Sequence, residues 1–195
     1  MSARSLTTLA LAAALLGAIA HPAFAQTPPT AQLVPSASEI SFTTRQMGVP
    51  VDGKFGQFTA QVALDPKKPE TGSVAFAIST ASARFGSAEI DAEVPKDIWL
   101  DTKRHPQATF QSSAIKSAGA GRFEVTGKLD IKGQVRDVVV PVSLTQAGGT
   151  STASGQFSIK RLDFKVGEGD WTDTSLLAND VVVKFKLVLT GLPPL

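Results

Sequence analysis

The stretch "RFEVTGKLDIK" (residues 122–132) decides the fold. Phe123, Val125, Gly127, Leu129 and Ile131 alternate strictly with Arg122, Glu124, Thr126, Lys128, Asp130 and Lys132. A helix would bring apolar residues back every three or four positions; a period of two is a strand with one dry face and one wet face. The same period continues on both sides. Downstream, past a turn at Gly133, lie "VRDVVVPVSL" (135–144), "ASGQFSIK" (153–160) and "DVVVKFKLVLT" (180–190). Upstream lie "SEISFTTR" (38–45), "GKFGQFTAQVALD" (53–65), "SVAFAIS" (73–79) and "ATFQSSAI" (108–115). Turn signals such as "DPKKPETG", "SAGAG" and "AGGT" separate them, and such short connections favour antiparallel neighbours. Eight half-dry strands in up-and-down order predict an all-β, eight-stranded antiparallel barrel, because closure removes exposed edges. One long interruption, residues 80–106, carries Ile90, Val94, Ile98 and Trp99 at helical spacing, broken by Pro95. It reads as a short helical lid between the third and fourth strands.

The N-terminus has a different character. Arg4 precedes an apolar run, "LTTLALAAALLGAIA" (6–20), and Ala23 and Ala25 form a small-x-small cleavage signal. Residues 1–25 are therefore expected to be a secretory signal peptide, cleaved after Ala25 on export. The run is short for a membrane span, which wants about 20 apolar residues. Residues 26–37, rich in Pro and Ala, are expected to be a flexible leader. Residues 38–192 are expected to form the barrel domain.

Composition excludes several chemistries. The chain has no Cys and no Tyr, so it has no disulfides, thiol nucleophile or iron–sulfur cluster. With Arg4 removed, 18 basic residues face 17 acidic ones, a balance that gives no pull toward nucleic acid. His105 is the one histidine after residue 25, so a multi-histidine zinc site is excluded. Pro106 holds it in an extended conformation where the lid meets the fourth strand, and no partner nucleophile is signalled. It reads as a corner residue, and no catalytic residue is expected. Asp163, Glu168, Asp170, Asp173 and Asp180 surround a Gly-rich loop, but their spacing does not match a calcium loop; they read as solvated charges around an anchoring Trp171.

The dry faces carry most of the phenylalanines, interleaved with Ala60, Ala108, Gly127, Ala153 and Gly155. Small residues on the axial face are expected to leave volume, and an apolar void favours an apolar guest. The residues expected to line it are Phe42, Phe55, Phe58, Phe76, Ile78, Trp99, Phe110, Phe123, Leu129, Phe157 and Phe185. A second reading is an interaction module with a solid barrel, its partner held by the 166–178 loop.

Four stretches together carry a resemblance: "SEISFTTRQMGVPVDGKFGQFTAQVALD", "DIWLDTKRHPQATFQSSAI", "GRFEVTGKLDIKGQVRDVVVPVSL" and "IKRLDFKVGEGDWTDT". From about Ser36 to Leu192 the chain resembles the YceI-like proteins. The resemblance implies a periplasmic, lipocalin-like barrel that binds a long apolar isoprenoid lipid, a polyisoprenoid or an isoprenoid quinone, without catalysis and without a further cofactor. It implies a tunnel lined around Phe42, Phe55, Phe76 and Phe110. The "GEGDWTDT" ending resembles the branch found beside membrane b-type cytochromes, which implies an inner-membrane partner of that kind; a dimer is also compatible. Where many members carry histidines, this chain has Ala37 and, approximately, Gln46 or Met47, leaving Arg45, Arg84 and Arg104 as candidate mouth contacts.

Overall fold

The structure, a computed structural model, describes residues 28–195. The expected signal peptide, residues 1–25, lies outside the described residues. Eleven strands follow: β1 (Thr30–Leu33), β2 (Glu39–Gln46), β3 (Val49–Phe55), β4 (Phe58–Ala63), β5 (Ser73–Ser79), β6 (Ala83–Arg84), β7 (Gln107–Ser117), β8 (Arg122–Ile131), β9 (Gln134–Ala147), β10 (Thr150–Lys160) and β11 (Asp180–Thr190). They are joined antiparallel in the order β1-β4-β5-β7-β8-β9-β10-β11-β2-β3-β6, and β1 also pairs with β11. That last pairing closes a ring of eight strands, the closed antiparallel barrel expected. β2, β3 and β6 continue the wall from the lower-numbered half of β11.

β8 behaves as its alternation requires. Phe123, Val125, Gly127 and Leu129 are buried while Arg122, Glu124 and Lys128 are exposed. Its hairpin with β9 turns on Lys132 (φ 53°) and Gly133 (φ 72°), with Ile131 opposite Gln134. Two central residues at positive φ make the turn whose twist matches the flanking strands. In β7 a bulge between Ser112 and Ala114 shifts the register. Inward positions therefore pass from even numbers (Ala108, Phe110) to odd ones (Ile115), so one strand serves the core along its whole length.

Two expectations change. Thr30–Leu33 lies inside the segment expected as a flexible leader, yet it is a strand. Ala31 is buried, and β1 pairs with β4 on one side and β11 on the other. Four residues flanked by Pro29 and Pro35 carry too little pattern to read as a strand; partners on both edges supply what local sequence lacks. Secondly, the second expected strand, residues 53–65, is split, while the first, residues 38–45, is the single strand β2. β1 and β2 lie end to end along β11, separated by the 3₁₀ turn Pro35–Ala37. β3 and β4 are separated at Gly56 and Gln57.

The wall also loosens between β9 and β10, which pair only from Ser143–Ala147 to Thr150–Ser154. Pro141 has no N–H to give there, and its carbonyl lies against Gly155. The 3₁₀ segment Arg161–Phe164 fills the space: Phe164 is 2% exposed, with the Arg136 guanidinium 5.9 Å above its ring.

Residues 80–106 hold a single six-residue helix, α1 (Ala88–Glu93). Asp91 in α1 accepts from the Phe85 N–H at 2.7 Å, and Thr80 Oγ1 donates to the His105 carbonyl at 2.7 Å, so the lid is tied at both ends. Beyond Pro95 the lid continues as turns, not as a second helix.

Candidate functional site: the barrel interior

The interior is built from alternate residues of the ring. A cavity of about 140 Å³ lies along it, bounded entirely by apolar side chains. Seven of the expected residues line it: Phe76, Ile78, Phe110, Phe123, Leu129, Phe157 and Phe185. Phe76, Phe110, Phe157 and Phe185 point inward yet remain only partly buried, packed against a fully buried cluster that includes Ile115, Phe123, Val125 and Leu187. Accessible surface on an inward-facing ring is surface left for a guest.

Four expected residues lie elsewhere. Phe42 packs with Phe55 (5.1 Å between ring centroids) and with Phe85 (5.1 Å) and does not line the cavity. Phe55 and Phe58 touch the buried cluster from outside and face a surface groove. Trp99 stacks on Trp171 at 5.2 Å, so it joins the lid to the 161–178 loop and does not line the barrel. Helical spacing alone cannot tell which of two neighbours an apolar lid residue will meet.

The small residues do not leave the volume expected of them. A Cβ on Gly127 would sit 2.6 Å from the Phe110 ring, one on Gly155 2.7 Å from the Phe185 ring, and one on Gly53 2.3 Å from the Phe42 ring. Each glycine seats a cross-strand phenylalanine, an arrangement that restores packing to a residue without a side chain. The cavity is accordingly near the size of an engineered hole that holds one benzene, roughly 150 Å³, below the usual ligand pocket of roughly 300–1,000 Å³.

Ile40, Val62, Val74, Val125, Val140, Val183 and Leu187 line the cavity too, on the same alternation that exposed the phenylalanines. Leu64, in phase with Phe58, Ala60 and Val62, and Leu192, which no period signals, also line it from just beyond strand ends.

A buried charge organises the 161–178 loop at one end of the barrel. Arg161, 3% exposed, donates to the carbonyls of Ala178 (3.0 Å), Val166 (2.9 Å), Gly167 (3.0 Å), Leu177 (2.7 Å) and Trp171. Burial pushes its guanidinium below the ordinary value. Lys132 Nζ, on the β8–β9 turn, donates to the Lys165 carbonyl (2.8 Å) and to Glu168 (2.9 Å). The Ile98 carbonyl accepts from the Gly167 and Glu168 N–H groups. Sequence reading singled out the carboxylates of this loop and missed Arg161, which organises it; a lone basic residue at a strand end has no signature.

All five carboxylates are exposed, and three of them have partners within the protein. Glu168 pairs with Lys132 and Asp180 with Lys160 (2.6 Å). Asp173 accepts from the Ser175 hydroxyl and N–H, which hold its carboxyl below the ordinary value. Among the described residues no three His, Asp or Glu side chains converge as a metal site. His105 is the corner residue expected: its N–H donates to Asp101, and its ring lies over Gly133. The three arginines named as mouth contacts bind the protein instead: Arg45 the Gly48 carbonyl, Arg84 those of Ala81 and Ala83, and Arg104 the Asp101 carboxylate. None of them lines the cavity.

Comparison with known proteins agrees with this architecture. Residues 32–189 match the YceI-like domain. A "UPF0312 protein" of Azotobacter vinelandii is 31% identical over 144 residues, 72% of each chain. BcnA of Burkholderia cenocepacia superposes with a TM-score of 0.78 at 44% identity, over 80% of this chain and 99% of that one. A polyisoprenoid binding domain from Saccharophagus degradans shares the fold with a TM-score of 0.67 at 15% identity, over 85% of this chain and 99% of its own. The barrel, its order of strands and the match through nearly all of the described residues lead to one conclusion: this chain belongs to the YceI-like domain family.

Proposed function

We propose that the protein is a non-catalytic periplasmic carrier that holds a long apolar isoprenoid lipid, a polyisoprenoid or an isoprenoid quinone, inside the barrel. The observation that carries this reading is the ring of inward-facing phenylalanines that keep accessible surface around an all-apolar cavity. Burial of hydrocarbon supplies about 0.8 kcal/mol per CH₂, so roughly ten buried methylenes give about 8 kcal/mol, from which the cost of association and of ordering the chain is subtracted. The resting cavity is smaller than such a chain, so loading requires the rings of Phe76, Phe110, Phe157 and Phe185 to swing aside. The Saccharophagus polyisoprenoid binding domain has the same fold, which supports the ligand class. A quinone ligand would make a membrane b-type cytochrome the natural partner.

The test is native mass spectrometry of protein exported with its own N-terminal segment and purified from periplasm. The expected result is a mature N-terminus at Gln26 and a mass increment that organic extraction removes and identifies as a prenyl lipid. Protein that carries no lipid and takes up none overturns the proposal.

One observation favours the interaction-module reading. Met47 (72% exposed) and Val49 (64%) stand on the β2–β3 tip beside Leu176 (40%), whose carbonyl accepts from the Met47 N–H at 2.8 Å. This apolar patch adjoins the 166–178 loop. Loss of partner binding in Leu176→Asp with lipid content unchanged would carry that reading.

A further inference from the structure

The wall of the barrel has a break between its first two long strands. Pairing holds from Gln46–Val49 to Ile40–Phe55 and resumes at Ala31–Val62. Between these points, residues 34–38 and 56–61 have no partners in each other's strand. This break is built, not frayed. Ser38 Oγ donates to the Val34 carbonyl (2.8 Å) and accepts from the Val188 N–H (2.9 Å). Ser82 Oγ accepts from the Gln57 N–H (3.1 Å) and donates to the Ser79 carbonyl (2.7 Å), while the Gly56 N–H donates to the Ser82 carbonyl (3.1 Å). Both lips of the break are thus hydrogen-bonded away from each other.

A surface groove of about 600 Å³ lies over the break. Phe55 and Phe58 belong both to the groove and to the shell packed on the buried cluster. Their cross-strand partners, Ile40 and Ile78, line the central cavity. Two rings therefore separate groove from interior. Both ends of the barrel carry hydrogen-bonded segments. At one end stand Arg161 with its five carbonyls, the Lys132–Glu168 pair and the Trp99–Trp171 stack. At the other, the Gln146 amide donates to the Pro193 carbonyl (2.7 Å) and accepts from the Leu195 N–H (2.8 Å), which holds Leu192 in the cavity.

We infer that this groove is the side entrance of the barrel and the seat of the lipid's polar end. The inference rests on the carrier reading. The chain passes between β2–β3 and β4 as Phe55 and Phe58 rotate, and its end remains in the groove. The volumes agree: a long chain exceeds the 140 Å³ interior, and the adjoining 600 Å³ holds the remainder. The rim defines the class of end group. Glu39 and Lys54 offset each other, and Gln57, Thr59 and Gln107 are uncharged hydrogen-bonding side chains. Such a rim suits a hydroxyl or a quinone carbonyl; a diphosphate would require a cluster of cations.

The chain contains no cysteine, so Gln57→Cys in the groove and Lys103→Cys on the lid each present one thiol to a bulky maleimide. Timed native mass spectrometry then follows uptake of geranylgeraniol from micelles. Each unlabelled variant sets the reference rate for its own labelled form, which separates the label from the substitution. The label at position 57 slows loading about tenfold or more, and the label at position 103 leaves it unchanged. Slowing by the lid label alone, or equally by both, overturns the side entrance. Geranylgeraniol is retained at least about tenfold better than geranylgeranyl diphosphate; the reverse preference overturns the end-group assignment. Wild-type protein that takes up neither compound overturns the carrier reading, and the entrance with it.

Discussion

Arg161 is a buried cation answered by carbonyls alone, with no carboxylate among its partners. Removing it leaves several carbonyls without a donor in a buried setting, and each unpaired group costs about 1–3 kcal/mol. Arg161→Met, similar in apolar length, is therefore expected to lower stability by at least about 3 kcal/mol in urea unfolding, with the loop losing its order first. Lysine cannot replace it, because one ammonium lacks the planar fork that serves diverging acceptors. Asp173 acts in the same loop through a titratable contact. Its carboxyl sits below the ordinary value because the Ser175 hydroxyl and N–H favour the ionised form. A carboxylate depressed in the folded state contributes stability above its unfolded pKa and loses it as pH falls through the folded one. Acidification through that range is expected to lower the protection of the Ser175 amide relative to its intrinsic exchange rate, while Asp173→Asn, which keeps an acceptor oxygen, shows no such pH step. At Gly155 the fit is tight for a different reason: any Cβ would meet the Pro141 carbonyl at 2.2 Å.

The lid and the 161–178 loop are elements whose positions local sequence does not specify. Trp99 was legible as an apolar anchor from its spacing with Val94 and Ile98, but its partner was not, since Trp171 lies far along the chain. Because the Trp99–Trp171 stack is outside the cavity, Trp99→Ala is expected to reduce thermal stability by about 1–3 kcal/mol. Its equilibrium affinity for a prenyl alcohol should stay within about twofold of wild type, whereas Phe110→Ala should change that affinity by about tenfold or more. Equal effects of the two substitutions would mean that the stack is part of the binding site. The β1 strand teaches a related lesson. "TAQL" between prolines has no pattern of its own, and only edges offered by β4 and β11 make it a strand.

For the molecule as a whole, closure creates the interior and ring packing sets its size. Ala153 is buried and lines the cavity from β10. Ala153→Phe is expected to fill the void and abolish lipid retention while the barrel remains folded, read by native mass spectrometry beside a thermal melt; crowding in the core should cost about 1–3 kcal/mol. Lipid retained at wild-type levels would place the guest outside the cavity. By itself the sequence determined the strand class, the antiparallel order and the inward identity of Phe76, Phe110, Phe123, Leu129, Phe157 and Phe185. Alternation is a local property, and a one-residue slip would turn every side chain to the other face. The tertiary structure alone decided that β1 closes the ring, that Phe110 and Phe185 lie down over Gly127 and Gly155, and that the wall parts between residues 34–38 and 56–61. Those outcomes depend on distances across the barrel between residues remote in sequence, and no period along one strand encodes them.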